Sequence, residues 1–219
     1  MCGRVSLFTT KDRIKTQFQV DELPDISTHF NIPPSFPVLF VVQMPEEGRY
    51  GMNLRWGLIP SWATNKKKYY ANARSEGVET KPAFRPSFQT KRGLMIVNGF
   101  YEWQREVSSQ PYYFKQDHDN LLAFAGLWDT WQSREGEVIH SCCLLTTTAN
   151  GLMEPIHNRM PVILTPEAQA IWLDETSEEQ VLLSLLNPYL YSDLCCYPVT
   201  KKMNKAQYDV HDAVIPLKR

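Results

Sequence analysis

LMIVNGFYEWQREVSSQPYYFKQDHDNLLAFAGLWDTWQSREGEVIHSCCLLTTT, residues 94–148, decides the fold. It divides into the runs LMIVNG, FYEWQR, PYYFKQ, LLAFAGLWDTWQ and VIHSCCLLTTT, all strand-like in composition. Turn-prone residues separate them at short intervals, so the segment predicts consecutive strands. Upstream, GRVSLF (3–8) alternates as a strand, and Thr10 caps a short amphipathic helix carrying Ile14 and Phe18. FNIPPSFPVLFVVQ (30–43) predicts a proline-rich loop entering a β-branched strand, since Pro33, Pro34 and Pro37 lack a backbone donor. EEGRYGMNLRWGLIP (46–60) predicts a turn and a strand, and 61–88 a loop with a short helix. Downstream, NGLMEPIHNRMPVIL (150–164) is a loop into a strand, and Thr165-Pro166 opens a helix. Thr176 and Glu179 match a capping box for a helix that Asn187-Pro188 ends, and DLCCYPVT (193–200) is a last strand. Strands outnumber helices without alternating with them. The expected class is α+β: a single domain with a mixed, barrel-like β-sheet and peripheral short helices.

The chain has 219 residues, 43% hydrophobic and 12% aromatic, enough for a real core and too apolar for disorder. No apolar run approaches the ~20 residues of a membrane span. The start MCGRVSLFTTKDR lacks the pattern of a signal peptide, so a soluble intracellular protein is expected, with no membrane partner. Its five cysteines (Cys2, Cys142, Cys143, Cys195, Cys196) are expected to be reduced. The two CC pairs lack zinc-knuckle spacing and neighbours on a strand face opposite ways, so they are expected to be buried strand cysteines. Neither a metal nor a cofactor is expected. Net charge is −1, but residues 55–92 hold nine basic and two acidic residues, +7 against −8 elsewhere. That asymmetry suits an anionic partner, although each lysine alone reads as solvated surface.

Four sites could carry chemistry. If Met1 is trimmed, Cys2 presents a free amine and a free thiol on adjacent carbons. Reference pKa values of ~7.7–8.0 for the amine and ~8.5 for the thiol leave some of each nucleophilic at neutral pH. An aldehyde would condense with the amine to an imine, and the thiolate would close a five-membered thiazolidine. Only an N-terminal cysteine can do this; the alternative is an incidental second residue with Met1 retained. His157, in PIHNRMP, suits acid–base work if an acidic group meets it, and is otherwise structural. Glu102 lies between Tyr101 and Trp103; alternation places it with Phe100, so a core-facing Phe100 implies a buried carboxylate with a raised pKa. An edge-strand surface glutamate fits the pattern equally. Asn72 and Arg74, two apart, share a face if the segment is extended, one to hold a nucleophile and one an anion; a helix cap at Asn72 is the alternative. Trp56, Trp62 and FNIPPS offer flat apolar surface on which single-stranded bases could stack, or could belong to the core.

Together MCGR, FNIPPS, RWGLIPSWA, NARSEG, KPAFR, NGFYEW, FAGLWD, LLTTTAN, IHNRMPVIL and YPVTKKMN resemble the SOS response-associated peptidase (SRAP) family. The resemblance spans residues 2–205 as an SRAP-like domain and leaves 206–219 as a C-terminal tail packed on it or trailing from it. It implies a barrel-like fold and a partner, single-stranded DNA containing abasic sites, whose ring-opened sugar Cys2 captures as a thiazolidine crosslink. It further implies that Asn72 orients the N-terminus, that Glu102 shuttles protons near the amine, and that His157 helps open the sugar. Arg4, Arg74 and Arg159 would hold phosphates; Asn31, Pro34, Trp62 and Thr146 would line the groove. A monomer in the cytoplasm, at the nucleoid when bound to DNA, is expected. Val5, Pro33, Ala63, Gly77, the IVNG run and Asn158 depart from the usual family pattern, and none removes a catalytic group. Two other readings stand beside this one. A Cys-dependent peptidase or amidohydrolase would pair Cys2 with His157, but the single residue before Cys2 leaves no long pro-segment to cleave. A non-catalytic single-stranded DNA module would bind intact and abasic DNA alike.

Overall fold

The computed structural model describes residues 2–44, 48–104, 109–190 and 192–218. In chain order the elements are β1 (Arg4–Leu7), α1 (Lys11–Phe18), β2 (His29–Ile32), β3 (Pro37–Met44), β4 (Gly48–Trp56) and β5 (Asn72–Arg74). Then come α2 (Arg85–Thr90), β6 (Arg92–Val97), β7 (Gly99–Gln104), β8 (Gln110–Gln116), β9 (Leu122–Gln132) and β10 (Val138–Thr148). The last are β11 (Arg159–Pro161), α3 (Pro166–Leu173), α4 (Glu179–Ser184) and β12 (Leu194–Pro198). The turn expected around Glu46 and the fate of Met1 lie outside the described residues.

Five strands close a barrel. β10 pairs with β4, β4 with β3, β3 with β6, β6 with β9, and β9 returns to β10. Most of these pairs are antiparallel, but β10 runs parallel to β4 and to β5, so the sheet is mixed. Two of its strands are buried on both faces: all six residues of β6 and Val38–Val42 of β3 are buried. Phe40 plugs the interior. Gly93 and Gly126 face each other across β6 and β9, and a Cβ on either would lie 2.3 or 2.5 Å from the Phe40 ring. The missing side chains are therefore what lets the ring in.

A second, antiparallel sheet of order β12-β8-β7-β1-β2 packs on the barrel. Phe100 of β7 stacks on Phe114 of β8 and meets Phe124 of β9 edge-on, joining the two sheets. The other face of this sheet carries Tyr101 and Tyr113, covered by Val199, Met203, Ala213 and Val214. Both faces of β7 are thus buried. Asn31 and Asp209 tie this cover to β2. Asn31 Nδ2 donates to the carbonyls of Met203, Lys205 and Tyr208, and Asp209 accepts from the Phe30 and Asn31 N–H groups.

The α+β, barrel-like expectation matches this architecture, with the second sheet as an addition. Three local expectations are corrected. FNI is strand rather than loop, because β1 supplies its partners and only Pro33–Phe36 stays irregular. The expected capping box at Thr176 does not form. Thr176 bonds Asp174 instead, α4 is preceded by Glu178 with no side-chain cap, and it ends at Ser184, before Asn187. The segment 61–88, expected as loop and short helix, also holds the strand β5, so Asn72 and Arg74 lie on an extended stretch and the helix-cap alternative for Asn72 falls. The caps at Thr10 and Thr165 are formed. Among the described residues no helix is long and apolar enough to cross a membrane.

Candidate active site

Cys2 lies at the entrance to β1, fully buried. β1 runs beside β7 with Arg4 opposite Tyr101, a register that carries the chain start toward Glu102. On the other side, Asn72 Nδ2 donates to the Cys2 carbonyl at 2.9 Å. Asn72 reaches it from β5, which is held by the parallel pairing of Leu144 with Asn72 and Thr146 with Arg74. Cys2 is therefore held through its main-chain carbonyl. Asn72 Oδ1 is buried with no hydrogen-bond partner among the described residues. A buried acceptor left open in this way marks a place for a donor to arrive.

Burial, and then the nearby Glu102 carboxylate, push the Cys2 thiol far above its ordinary pKa. Its Sγ contacts the Arg4 carbonyl at 3.7 Å. Glu102 itself is 2% exposed and lies on the Phe100 face of β7, as the alternation required. The surface-glutamate alternative is excluded.

His157 is also buried, immediately before β11. The Arg159 N–H donates to His157 Nδ1 at 3.0 Å, and the Arg159 carbonyl lies 3.2 Å from the same nitrogen. A neutral imidazole can accept the first bond, and a protonated one can donate to the second. One backbone residue thus offers a partner to Nδ1 in both protonation states.

The other candidate positions divide. Arg74 is exposed at the end of β5, as phosphate contact requires. Trp62 is 57% exposed, its Nε1 donating to the Pro82 carbonyl at 3.2 Å. Pro34 sits in the half-exposed turn before β3. Trp56, by contrast, is core, its indole bonded to the Ala71 carbonyl. Thr146 is buried with its hydroxyl on the Ala73 carbonyl. Arg4 is committed to Asn31 Oδ1 at 2.8 Å and to the Met203 and Asn204 carbonyls. Asn31 is buried and saturated by the carbonyls that fasten the C-terminal segment. Arg159 forks onto Glu76, Nη1 to Oε1 at 2.5 Å and Nη2 to Oε2 at 2.8 Å, and also reaches the Thr146 carbonyl. That bond holds the Glu76 carboxyl below its ordinary pKa. Sequence reasoning counted Glu76 only as charge. The signal for it was its spacing, two residues beyond Arg74.

The basic segment is also less free than its count. Arg92 is buried, Lys91 pairs with Asp129, and Lys66 pairs with Glu137. Arg55 stacks on Tyr69, its guanidinium 4.7 Å from the ring centre. Lys67, Lys68, Arg74 and Arg85 remain exposed. Among the described residues no group of three or more His, Cys, Asp or Glu could hold a metal ion.

Comparison with known proteins places this geometry. A family model described as SOS response associated peptidase (SRAP) matches residues 1–206. The abasic site processing protein YoqW of Bacillus subtilis (strain 168) is 41% identical over 212 residues, covering 93% of this chain and 94% of that protein. The abasic site processing protein HMCES of Xenopus tropicalis is 35% identical over 182 residues, covering 70% of this chain and 53% of the relative. A crystal structure of a Bacteroides thetaiotaomicron protein superposes with a TM-score of 0.87 at 22% identity, over 99% of this chain and all of that one, which establishes the fold.

Proposed function

Because this chain belongs to the SOS response-associated peptidase family, we propose that it processes abasic sites in single-stranded DNA by covalent capture at Cys2. Relatives named for abasic-site processing, 41% and 35% identical, support the substrate. The observation that carries the chemistry is the grip of Asn72 on the Cys2 carbonyl beside the buried Glu102. It positions a leading residue by its main chain alone.

Removal of Met1 exposes the Cys2 amine. The ring-opened sugar brings an aldehyde, and in this reading His157 passes protons to and from the sugar oxygens. The neutral amine adds to the aldehyde carbon, its spare proton going to Glu102. The resulting carbinol loses its oxygen as water and leaves an imine. Sγ then adds to the imine carbon, the thiol proton passing to the nitrogen, and a thiazolidine closes. Aldehyde and aminothiol give ring and water, with no change of oxidation state. A buried, protonated thiol suits this amine-first order, whereas a cysteine peptidase depends on a lowered thiol pKa.

The test is incubation of Met1-free protein with a single-stranded oligonucleotide containing one abasic site. Wild type is expected to give an adduct that survives heat and denaturant without reductant, and Cys2→Ala none. A normal adduct from Cys2→Ala removes the thiazolidine.

A further inference from the structure

We propose that Asp129 is a positioning residue for DNA binding, its buried carboxylate setting the loop that presents Trp62. The inference rests on the single-stranded DNA reading above. The Asp129 side chain is 4% exposed on β9, away from Cys2 and its neighbours in sequence. Its Oδ2 accepts the Ser61 N–H at 2.7 Å. Its Oδ1 accepts Lys91 Nζ at 2.6 Å and the Thr130 N–H at 2.9 Å. Two further side chains fasten the same loop. Ser141 Oγ takes the Ile59 N–H at 2.9 Å, and Trp131 Nε1 donates to the Ala63 carbonyl at 2.7 Å.

Trp62 therefore stands between two residues whose main chains are bonded to the barrel. Its own indole is part-exposed, with Nε1 held on the Pro82 carbonyl. Burying a carboxylate is costly, and a loop that merely joined β4 to β5 would close as well over an apolar side chain. What the carboxylate supplies is a fixed direction for the Ser61 N–H, and so for the next side chain. A stacking aromatic whose backbone is already ordered loses little freedom when a base arrives. The neighbouring Lys67 and Lys68 are exposed on the same loop, where they supply the charge a nucleic acid strand requires.

The experiment measures fluorescence anisotropy of a labelled single strand carrying a tetrahydrofuran abasic analogue. This analogue has no aldehyde, so binding is read apart from capture. Trp62→Ala is expected to weaken binding about fivefold or more, the low end for one stacked base. Asp129→Ala is expected to weaken it at least threefold, and the double variant to bind no worse than Trp62→Ala. With aldehyde-bearing DNA, Asp129→Ala should raise the half-saturating concentration and leave the saturated rate of adduct formation as in wild type. Wild-type affinity in either single variant, or losses that multiply in the double, overturns the proposal. Should Asp129→Ala lose its cooperative melt, Ser141→Ala removes the Ile59 anchor alone and is held to the same criterion: weaker binding that vanishes in the Trp62→Ala background. Failure of the Cys2 chemistry would show instead as no adduct with these binding shifts intact.

Discussion

A guanidinium that already forks onto a carboxylate is a poor anchor for a phosphate. Arg159 spends Nη1 and Nη2 on Glu76 and Nη2 also on Thr146, while its main chain holds His157. Its side-chain charge is balanced before any DNA arrives, whereas Arg74 is exposed. Glu76→Gln keeps the shape of the clip and removes the opposing charge, which frees Arg159 to act on a phosphate. Single-stranded DNA binding should then tighten about two- to fivefold at low salt, and the slope of log K against log salt should steepen by about 0.7, the value for one added phosphate contact. Titration at four salt concentrations checks it; an unchanged slope would mean that Arg159 already meets phosphate with Glu76 in place. At this scale the sequence was informative where a residue's role depends on near neighbours. Alternation tied Glu102 to Phe100 and left a core or a surface carboxylate open until the structure buried both. Arg4 and Asn31 could not be placed, because their partners lie some 170–200 positions away in the C-terminal segment.

Elements repeat that division. The cap at Thr10 and the Thr165-Pro166 start are local, and both were legible. The strand at FNI was hidden because the prolines after it dominate the local signal while its partner, β1, lies more than twenty residues upstream. Barrel closure through β9 and β10 depends on registers between elements that no periodicity reports, as does the space that Gly93 and Gly126 leave for Phe40. Arg92 shows the same limit. By count it belonged to the basic segment, yet it is 8% exposed and donates to the carbonyls of Phe88, Gln89, Trp172 and Asp174. These carbonyls end α2 and α3, so one side chain satisfies the open acceptors of both helices. Arg92→Met fills similar space and supplies no donor. It is expected to cost about 3 kcal/mol or more, since several buried acceptors lose their partners at once. Arg92→Lys, with three donors on a shorter fork, should recover part of that. Equilibrium urea unfolding, reading the midpoint at constant m-value, distinguishes them.

Across the whole molecule, the buried thiols link the core to pH. Cys142 and Cys143 adjoin on β10, side chains on its two opposite faces, both fully buried. Burial, reinforced by Cys143, raises the Cys142 thiol well above its ordinary 9.0, and burial raises Cys143 to about 12. Tyr197, on the outer sheet, is raised to about 12 by burial and by the charges of Cys195 and Asp119. A group whose folded pKa exceeds its unfolded value stabilises the fold fully below the unfolded value and loses that contribution as pH climbs toward the folded one. The window for the two thiols therefore opens near pH 9 and extends to about 12 for Cys143. Inside it each thiol contributes a loss of about 1.4 kcal/mol per pH unit, so the pair alone removes about 3 kcal/mol per unit. Against a typical ~5–15 kcal/mol of total stability, the pair alone would exhaust a stability at the low end of that range about two units above pH 9. Unfolding free energy measured from pH 8 to 11 should be flat at first and then fall steeply. Cys142→Ala, which adds no atoms to the packed site and removes one titrating proton, should make that fall shallower by about 1.4 kcal/mol per unit. An unaltered slope in this variant would mean that the Cys142 thiol ionises in the folded protein as readily as in the open chain, and that its surroundings on β10 are not the dry, closed space its burial describes.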